Sequence, residues 1–315
     1  MPKKFKVRGH LWRRGLLMSI CVLTVTALAP VVLATSAEQT NFSAPVDGIA
    51  ALIAAVKSDD EAALGAILGP DGIKLISSGD EVADSQSRET FIKAYDEGHK
   101  LVLEGDAQAV LVIGRDEWPM PIPLVKSQDG WRFDTKRGEE EVLARRIGRN
   151  ELAAIQVCLA IVDAERDYAA QDPDGDGIPE YASKFVSTPG KHDGLYWETK
   201  AGEPLSPLGP LLAAATGEGY PSDSAVLAPY HGYFYRLLTQ QGKDAVGGAH
   251  AYLVNGKMIG GFAVIAYPAA YGASGIMSFI ANQDGAVFEK DLGESTPATA
   301  SKMTTFNPDA SWRRT

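Results

Sequence analysis

Apolar residues recur at helical spacing through residues 139–171, which form the longest regular pattern in the chain. This run contains one glycine, Gly148, and no proline, and charged residues occupy the opposite positions. The pattern predicts an amphipathic helix of some 30 residues, about 45 Å long, unless Gly148 divides it into two. The positions assigned to its apolar face are Leu143, Ile147, Leu152, Ile155, Leu159, Val162 and Ala169.

The segment before this helix begins with helical patterns and ends with strand patterns. We expect helices over residues 44–56, 60–68 and 87–100, with Ser87 as the N-cap of the third. Short apolar runs bounded by turn residues then predict strands over residues 109–114, 122–126 and 131–134. Helices followed by a meander indicate an α+β module over residues 38–138.

The segment after the long helix is predominantly of strand character. A Gly- and Pro-rich irregular stretch at 185–208 and a short helix at 208–215 precede strands at 233–239, 251–254, 261–267, 276–281 and 286–290. The last two are separated by Asn282, Gln283, Asp284 and Gly285, which is a strong hairpin signal. The second module, residues 139–315, is therefore predicted to be a long helix packed on an antiparallel meander.

The amino terminus has the pattern of an export signal. Six basic residues and no acidic ones precede an apolar run at 16–34, which small residues follow. Cleavage after Ala37 or after Ala34 satisfies the small-residue rule, and we expect a signal peptide over residues 1–37. The alternative is an uncleaved N-terminal membrane anchor. Either outcome predicts an exported protein, periplasmic or extracellular.

The net charge and the cysteine content limit the kinds of partner and of stabilising bond that the chain can have. Removal of the six basic residues changes the formal net charge from −10 to −16. An acidic chain repels phosphate, so nucleic acid is not an expected partner, and we expect membrane contact only if the N-terminal segment is retained. Cys158 would be the one cysteine left, and its place beside Leu159 predicts a buried core thiol.

An aspartate-rich loop follows the long helix. Asp172, Asp174 and Asp176 precede Gly177 in the D-x-D-x-D-G spacing, which directs alternate carboxylates toward one cation. Glu180 supplies a further oxygen, but the twelfth position of an EF-hand would be Ser183 rather than Glu. We therefore predict a partial Ca²⁺ loop and no other cofactor. The alternative is a metal-free helix stop built of turn residues.

Candidate catalytic residues are few. His192 and Asp193, together with Tyr230 and His231, lie in polar loops of the second module, and if they met they could bind a polar ligand or move a proton. The carboxylates and the histidine of the first module that could serve a pocket are Asp80, Asp96, His99 and Asp116. Ordinary loop hydrogen bonding is the alternative, and it is sufficient to explain these residues without any catalytic role. Arg145, Arg146 and Arg149 form either a solvated helix face or a clamp between the modules.

Two parts of the chain resemble known folds. The helices, the meander and the closing phrase at 130–134 (GWRFD) resemble the cone-shaped NTF2-like fold, which implies helices over a curved sheet and a ligand pocket. The long helix, the meander and the final hairpin resemble the globular half of type IV pilin-like proteins. The pilin processing site is missing, and the first module intervenes where the pilin assembly helix would stand.

The chain as a whole resembles the bacterial family "domain of unknown function 2950". Five phrases carry the resemblance, at 118–125 (WPMPIPLV), 145–151 (RRIGRNE), 187–191 (STPGK), 229–233 (PYHGY) and 254–261 (VNGKMIGG). The resemblance implies an exported protein of two parts and brings no activity with it.

The leading functional hypothesis is a non-enzymatic envelope protein that binds another envelope protein or a polymer. The export signal and the missing catalytic motifs favour it, because neither H-E-x-x-H nor G-x-S-x-G occurs. The competing hypothesis is a periplasmic hydrolase or isomerase that uses the first module's pocket or the loops of His192 and His231.

Overall fold

The computed structural model describes residues 39–172, 177–200, 202–221 and 228–315, and these belong to one unit. The predicted signal segment at 1–37 lies outside the described residues. The chain has the predicted α+β composition, with seven named helices and thirteen named strands in this part. None of the helices described there combines the length and the apolar character needed to cross a membrane.

The amino-terminal half contains helices α1 to α4, at Pro45–Lys57, Glu61–Leu68, Ile73–Ile76 and Glu81–Glu97. Asp60 caps α2, because its Oδ1 accepts a hydrogen bond from the backbone N–H of Ala63 at 2.9 Å. The predicted start of the third helical segment at Ser87 is wrong. Asp80 is the cap of α4, accepting from the N–H of Ala83, whereas the Ser87 hydroxyl donates to the carbonyl of Ala83 inside the helix.

The first sheet consists of β1 to β5, at His99–Glu104, Gln108–Ile113, Trp118–Pro119, Leu124–Ser127 and Gly130–Phe133. All its pairs are antiparallel in the order β1-β2-β4-β5, with β3 on β2. The three predicted strands are confirmed, but β1 occupies residues where a helix end was expected. Strand β1 is an exposed edge, so no buried alternation marks it in the sequence.

Helix α5, Thr135–Gln171, is the predicted long helix, and it is continuous through Gly148. Its 37 residues extend about 55 Å at the standard rise. It begins four residues earlier than predicted, where the Thr135 hydroxyl donates to the carbonyl of Leu68 at 2.7 Å. Gly138 allows this first turn to approach Pro121, because a Cβ there would lie 2.6 Å from the Pro121 carbonyl carbon.

The second half of α5 is buried along one stripe. Its buried residues include Ala154, Val157, Cys158, Ile161, Val162, Glu165 and Tyr168. Leu152 was predicted to lie on the apolar face but is 68% exposed, which shows that the buried stripe is rotated from the predicted one. The predicted burial of Cys158 is confirmed, and desolvation raises the pKa of its thiol to about 12.

The second sheet is antiparallel in the order β13-β11-β10-β9-β6. Helix α6 at Gly209–Gly217 precedes it, and its strands β6, β9, β10, β11 and β13 are Tyr233–Leu238, Ala263–Pro268, Met277–Asn282, Val287–Asp291 and Arg313–Arg314. The predicted hairpin is confirmed, since β10 pairs with β11 across Gly285 at a φ of 74°. Short strands β7 (Gln240–Gln241), β8 (His250–Ala251) and β12 (Thr305–Phe306) form a third sheet, and α7 is Thr296–Ala300.

The buried hydrophobic residues form two separate clusters, one from residues before 134 in the sequence and one from residues after 153. The first joins α1 and α2 to the first sheet and ends at Phe133, and the second begins at Ala154 and joins α5 to the second sheet. The domain boundary proposed at residue 138 falls in this interval and stays a prediction.

Candidate functional site

His192 and Asp193 are engaged in local loop contacts. The His192 ring stacks on Trp197 with centroids 4.2 Å apart, and the His192 carbonyl accepts from the Tyr168 hydroxyl at 3.0 Å. The Asp193 carboxylate accepts from the N–H and the hydroxyl of Thr188 and lies 2.9 Å from Lys184 Nζ. Burial opposes ionisation, but these donors lower the pKa of Asp193 to about 2. The carboxylate therefore closes a loop and is a poor proton acceptor at neutral pH.

Tyr230 and His231 lie in a different environment, at the turn that leads into β6. Their rings are 4.1 Å apart, and His231 Nε2 is 3.3 Å from Glu218 Oε2. Burial, followed by the charge of Glu218, raises the pKa of Tyr230 to about 12, so its hydroxyl stays protonated. The structure places no hydrogen bond, ion pair or ring contact between this pair and His192 or Asp193 within the described residues.

The turn of His231 is held by a carboxylate from the other half of the chain. Oδ2 of Asp80 accepts from the Tyr220 hydroxyl at 3.0 Å and from the N–H of Gly232 at 2.7 Å. Asp80 is 1% exposed, and these two donors together with the N–H of Ala83 at the N-terminus of α4 satisfy both of its carboxyl oxygens. Sequence reasoning named Asp80 only as a candidate for a pocket. Its place as an N-cap was the available signal, but no signal identified its distant partners.

The predicted Ca²⁺ loop lies partly outside the described residues, which exclude Asp174 and Asp176. Asp172 ends α5 at a φ of 46°, and its Oδ2 accepts from the N–H of Gly177 at 2.9 Å. Glu180 Oε2 lies 3.7 Å from Lys257 Nζ. In the part of the chain that the structure describes, no three His, Cys, Asp or Glu side chains cluster as metal ligands would. Calcium binding stays a prediction.

A half-open space of about 220 Å³, here called the apolar cavity, lies in the amino-terminal half of the chain against α5. Side chains from α1, α2, α4, the first sheet and α5 form its wall, including Leu52, Leu64, Leu68, Phe91, Met120 and Ile122. Asp84, Arg88 and Arg146 are the charged residues on this wall. Asp84 Oδ2 accepts from the N–H of Ser78 at 2.7 Å, and the Arg146 guanidinium donates to the carbonyls of Lys74 and Leu75 at 2.7 and 2.6 Å.

A larger open cleft of about 890 Å³ adjoins this cavity between α4 and α5 and is here called the arginine cleft. Its charged and titratable lining consists of Glu97, Arg115, Asp116, Arg145, Arg146, Arg149, Glu218 and His231. Of the other candidates, Asp96 pairs with Lys57 at 3.1 Å, and His99 stacks on Tyr95 at 3.8 Å. Asp116 and His231 are thus the predicted candidates that the structure brings to one cleft.

The cleft can perform two kinds of chemistry. Three arginines from one helix can bind an anionic group. The His231 and Glu218 pair, at 3.3 Å, could accept and hold a proton, as a general base does.

Comparison with known proteins identifies a family and no individual relative. No curated protein matches the chain, and no solved structure matches it either. The NTF2-like and pilin-like resemblances therefore stay predictions. The family model described as "Protein of unknown function (DUF2950)" matches residues 39–315. Because this match extends over most of the sequence, the chain belongs to the DUF2950 family.

Proposed function

We propose that this protein is an exported envelope protein that works by binding, and that its first module holds a small apolar group in the apolar cavity. The leader-like residues 1–37 support export. The observation that carries the binding proposal is the cavity of about 220 Å³, whose wall is mostly aliphatic and aromatic. Cavities of this character, at about 150 Å³, stay dry and take up small apolar molecules.

The cavity is placed where a ligand can reach it. Its wall includes Trp118, which is 36% exposed, and Val142 on α5, which also lines the arginine cleft. A ligand can enter a cavity that has such an opening, whereas a packing defect is closed on all sides and admits no ligand. The proposal assigns Ca²⁺ no part in ligand binding. The ion would only order the loop that contains Asp172 and Glu180.

The experiment uses the uncharged fluorescent probe N-phenyl-1-naphthylamine and the full chain. We expect the probe to bind with a blue-shifted emission, as it does in apolar surroundings. Val142→Trp, which fills the entrance, should weaken the binding at least tenfold. Leu152→Trp is the matched control, because it adds the same side chain to the same helix at a position that is 68% exposed. Equal binding by both variants, or no binding by the wild type, would refute the proposal.

One observation favours a second function, a hydrolase or isomerase. His231 Nε2 lies 3.3 Å from Glu218 Oε2, and both side chains line the arginine cleft. A general base so placed could act on a ligand bound in the cleft. His231→Gln separates the two functions. It should leave probe binding unchanged, whereas it should abolish turnover in a screen of ester and amide substrates if the protein is an enzyme.

A further inference from the structure

The apolar cavity and the arginine cleft adjoin each other and share part of their walls. Six side chains line both of them, namely Ser87, Phe91, Trp118, Pro121, Val142 and Arg146. A molecule that occupies the cavity therefore extends toward the cleft if it is longer than the cavity is deep. The chemistry of the cleft then decides which group this molecule carries at its other end.

Two guanidinium groups of the cleft, those of Arg146 and Arg149, have no carboxylate within ion-pairing distance among the described residues. Arg145 pairs with Glu141 at 2.6 Å, Arg115 lies 4.0 Å from Glu97, and Glu218 faces His231. Arg149 is exposed, and in the described chain it makes neither an ion pair nor a hydrogen bond. Among the described residues, Asp116 has no cationic partner, and the partner of Glu218 is a histidine, which carries charge only when it is protonated. Arg146 and Arg149 are thus the cleft cations that a bound anion can contact without displacing an ion-pair partner.

Arg146 is especially suited to an anionic ligand. Its guanidinium is held by the carbonyls of Lys74 and Leu75, and no carboxylate lies within ion-pairing distance of it in the described residues. Burial lowers the pKa of Arg146, the charge of Asp84 opposes this effect, and the charge of Arg149 adds to it. An anion placed between Arg146 and Arg149 would offset the repulsion between their charges.

We propose that the ligand is an anionic amphiphile whose alkyl chain fills the apolar cavity and whose carboxylate or phosphate head group binds Arg149 and Arg146 in the arginine cleft. This inference rests on the proposed binding function and specifies its ligand class. The acidic net charge of the chain does not oppose it, because a local cluster of guanidinium groups sets the potential inside a cleft. A guanidinium also matches both head groups, since it binds carboxylate and phosphate through paired N–H donors.

The test displaces N-phenyl-1-naphthylamine from the full chain with ligands of one chain length and different head groups. Dodecanoate and dodecyl phosphate should compete at least tenfold more strongly than dodecanol, and dodecyltrimethylammonium should be the weakest. The ratio of the affinities for dodecanoate and dodecyl phosphate distinguishes a fatty-acid carboxylate from a phospholipid-type head group. Inorganic phosphate should displace nothing. Shortening the alkyl chain should weaken binding by about fourfold for each methylene group.

Substitution of Arg149 tests whether this residue binds the anionic head group. Arg149→Gln should reduce the preference for dodecanoate over dodecanol to less than threefold while dodecanol binds as before. Arg132→Gln is the matched control, because Arg132 is exposed on β5 and does not line the cleft. Dodecanol that competes as well as dodecanoate would overturn this inference and leave the cavity function intact. A preference for anions that survives in Arg149→Gln would also overturn it, whereas failure of the probe to bind the wild type would overturn the function itself.

Discussion

The carboxylate of Asp80 lies 2.7 Å from the backbone nitrogen of Gly232, although 152 residues separate the two in the sequence. The same Oδ2 accepts from the Tyr220 hydroxyl at 3.0 Å, while Oδ1 caps α4. One buried side chain therefore joins the start of a helix in the first half to the turn of His231 in the second. Gly232 is fixed at a φ of 76°, and a Cβ there would lie 2.6 Å from Asn150 Nδ2.

Asp80→Asn tests this connection separately from the helix cap. Asparagine caps helices as well as aspartate, so the bond to Ala83 is retained. The NH2 group that replaces Oδ2 can accept from neither Gly232 nor Tyr220, so the buried N–H of Gly232 is left unpaired. We expect a loss of about 2–3 kcal/mol in the free energy of unfolding, measured by urea denaturation.

Asp60→Asn is the control for this substitution. Asp60 caps α2 through the N–H of Ala63 alone, and asparagine can accept the same bond. Asp60→Asn should lower the free energy of unfolding by only about a few tenths of a kcal/mol. If both variants lose the same stability, the bonds of Asp80 to Gly232 and Tyr220 contribute nothing beyond the cap.

Two glycines of α5 should respond to alanine in opposite directions. Gly148 has no atom within 4 Å of an added Cβ, and alanine is favoured over glycine inside a helix. Gly148→Ala should therefore raise the free energy of unfolding by about 1 kcal/mol. Gly138→Ala should lower it despite the same gain in propensity, because the new Cβ would lie 2.6 Å from the Pro121 backbone.

Thermal unfolding followed by circular dichroism measures both effects. The two variants control for each other, since both replace glycine by alanine in the same helix. Destabilisation by Gly148→Ala would show that α5 bends or is strained at that position, contrary to the continuous helix.

The sequence was sufficient to predict the long helix and most strands of the two larger sheets, but not the contacts between distant elements. Helix α5 was predictable because its periodicity extends over many turns, and the β10 and β11 hairpin because Asn282 to Gly285 are turn residues. Strand β1 was missed because an exposed edge shows no burial pattern. The buried stripe of α5 was misplaced at Leu152, and Glu165 was not recognised as buried, since charged residues rarely occupy a core face.

The candidate site was less predictable than the fold for a physical reason. The apolar cavity is a gap between packed side chains, and a gap leaves no pattern in the sequence. The partner of Asp80 is a backbone N–H of Gly232, and a backbone group looks the same at every position. The sequence places three arginines on one stretch of α5, and Arg145 pairs with Glu141 one turn away, as on a solvated helix face. Their place on a cleft required the three-dimensional structure.

Buried Glu165 should make the stability of the protein fall as the pH rises. Its Oε2 accepts from the N–H of Ala182 at 2.8 Å, and its Oε1 is buried without a partner. Desolvation raises the pKa of this carboxyl well above its ordinary value, although the bond from Ala182 opposes the effect. The unfolded chain releases this proton near pH 4.3, so the folded state holds one proton more above that pH. Stability is complete below the unfolded pKa and decreases as pH rises toward the folded one.

Glu165→Gln removes this pH dependence, because glutamine does not ionise and its carbonyl can accept from Ala182. Urea denaturation between pH 4 and pH 8 should show a stability advantage of the variant that grows with pH. The limiting slope for one proton is about 1.4 kcal/mol per pH unit. The two proteins should converge at the acidic end, which serves as the internal reference. Parallel curves over the whole range would show that Glu165 is ionised in the folded protein.

The aspartate-rich loop after α5 should bind Ca²⁺ with the affinity of extracellular sites. Oδ1 of Asp172 is buried without a hydrogen-bond partner, so one ligand oxygen is available at the described end of the loop. Sites of this class have dissociation constants of about 0.1–1 mM, and a cation at ten times that concentration adds about 1.4 kcal/mol to stability. For a chain of this size the melting temperature should rise by about 3–6 °C.

Differential scanning calorimetry with Ca²⁺, with Mg²⁺ and with a chelator tests this prediction. Asp174→Ala and Asp176→Ala should abolish the rise, while Asp106→Ala, which removes an exposed carboxylate from the turn between β1 and β2, should retain it. Magnesium should have the smaller effect, because it gives up its bound water reluctantly and demands stricter octahedral geometry. A melting temperature that does not change at millimolar Ca²⁺ would show that the aspartates only end the helix. An equal rise in all three variants would place the cation elsewhere on this acidic chain.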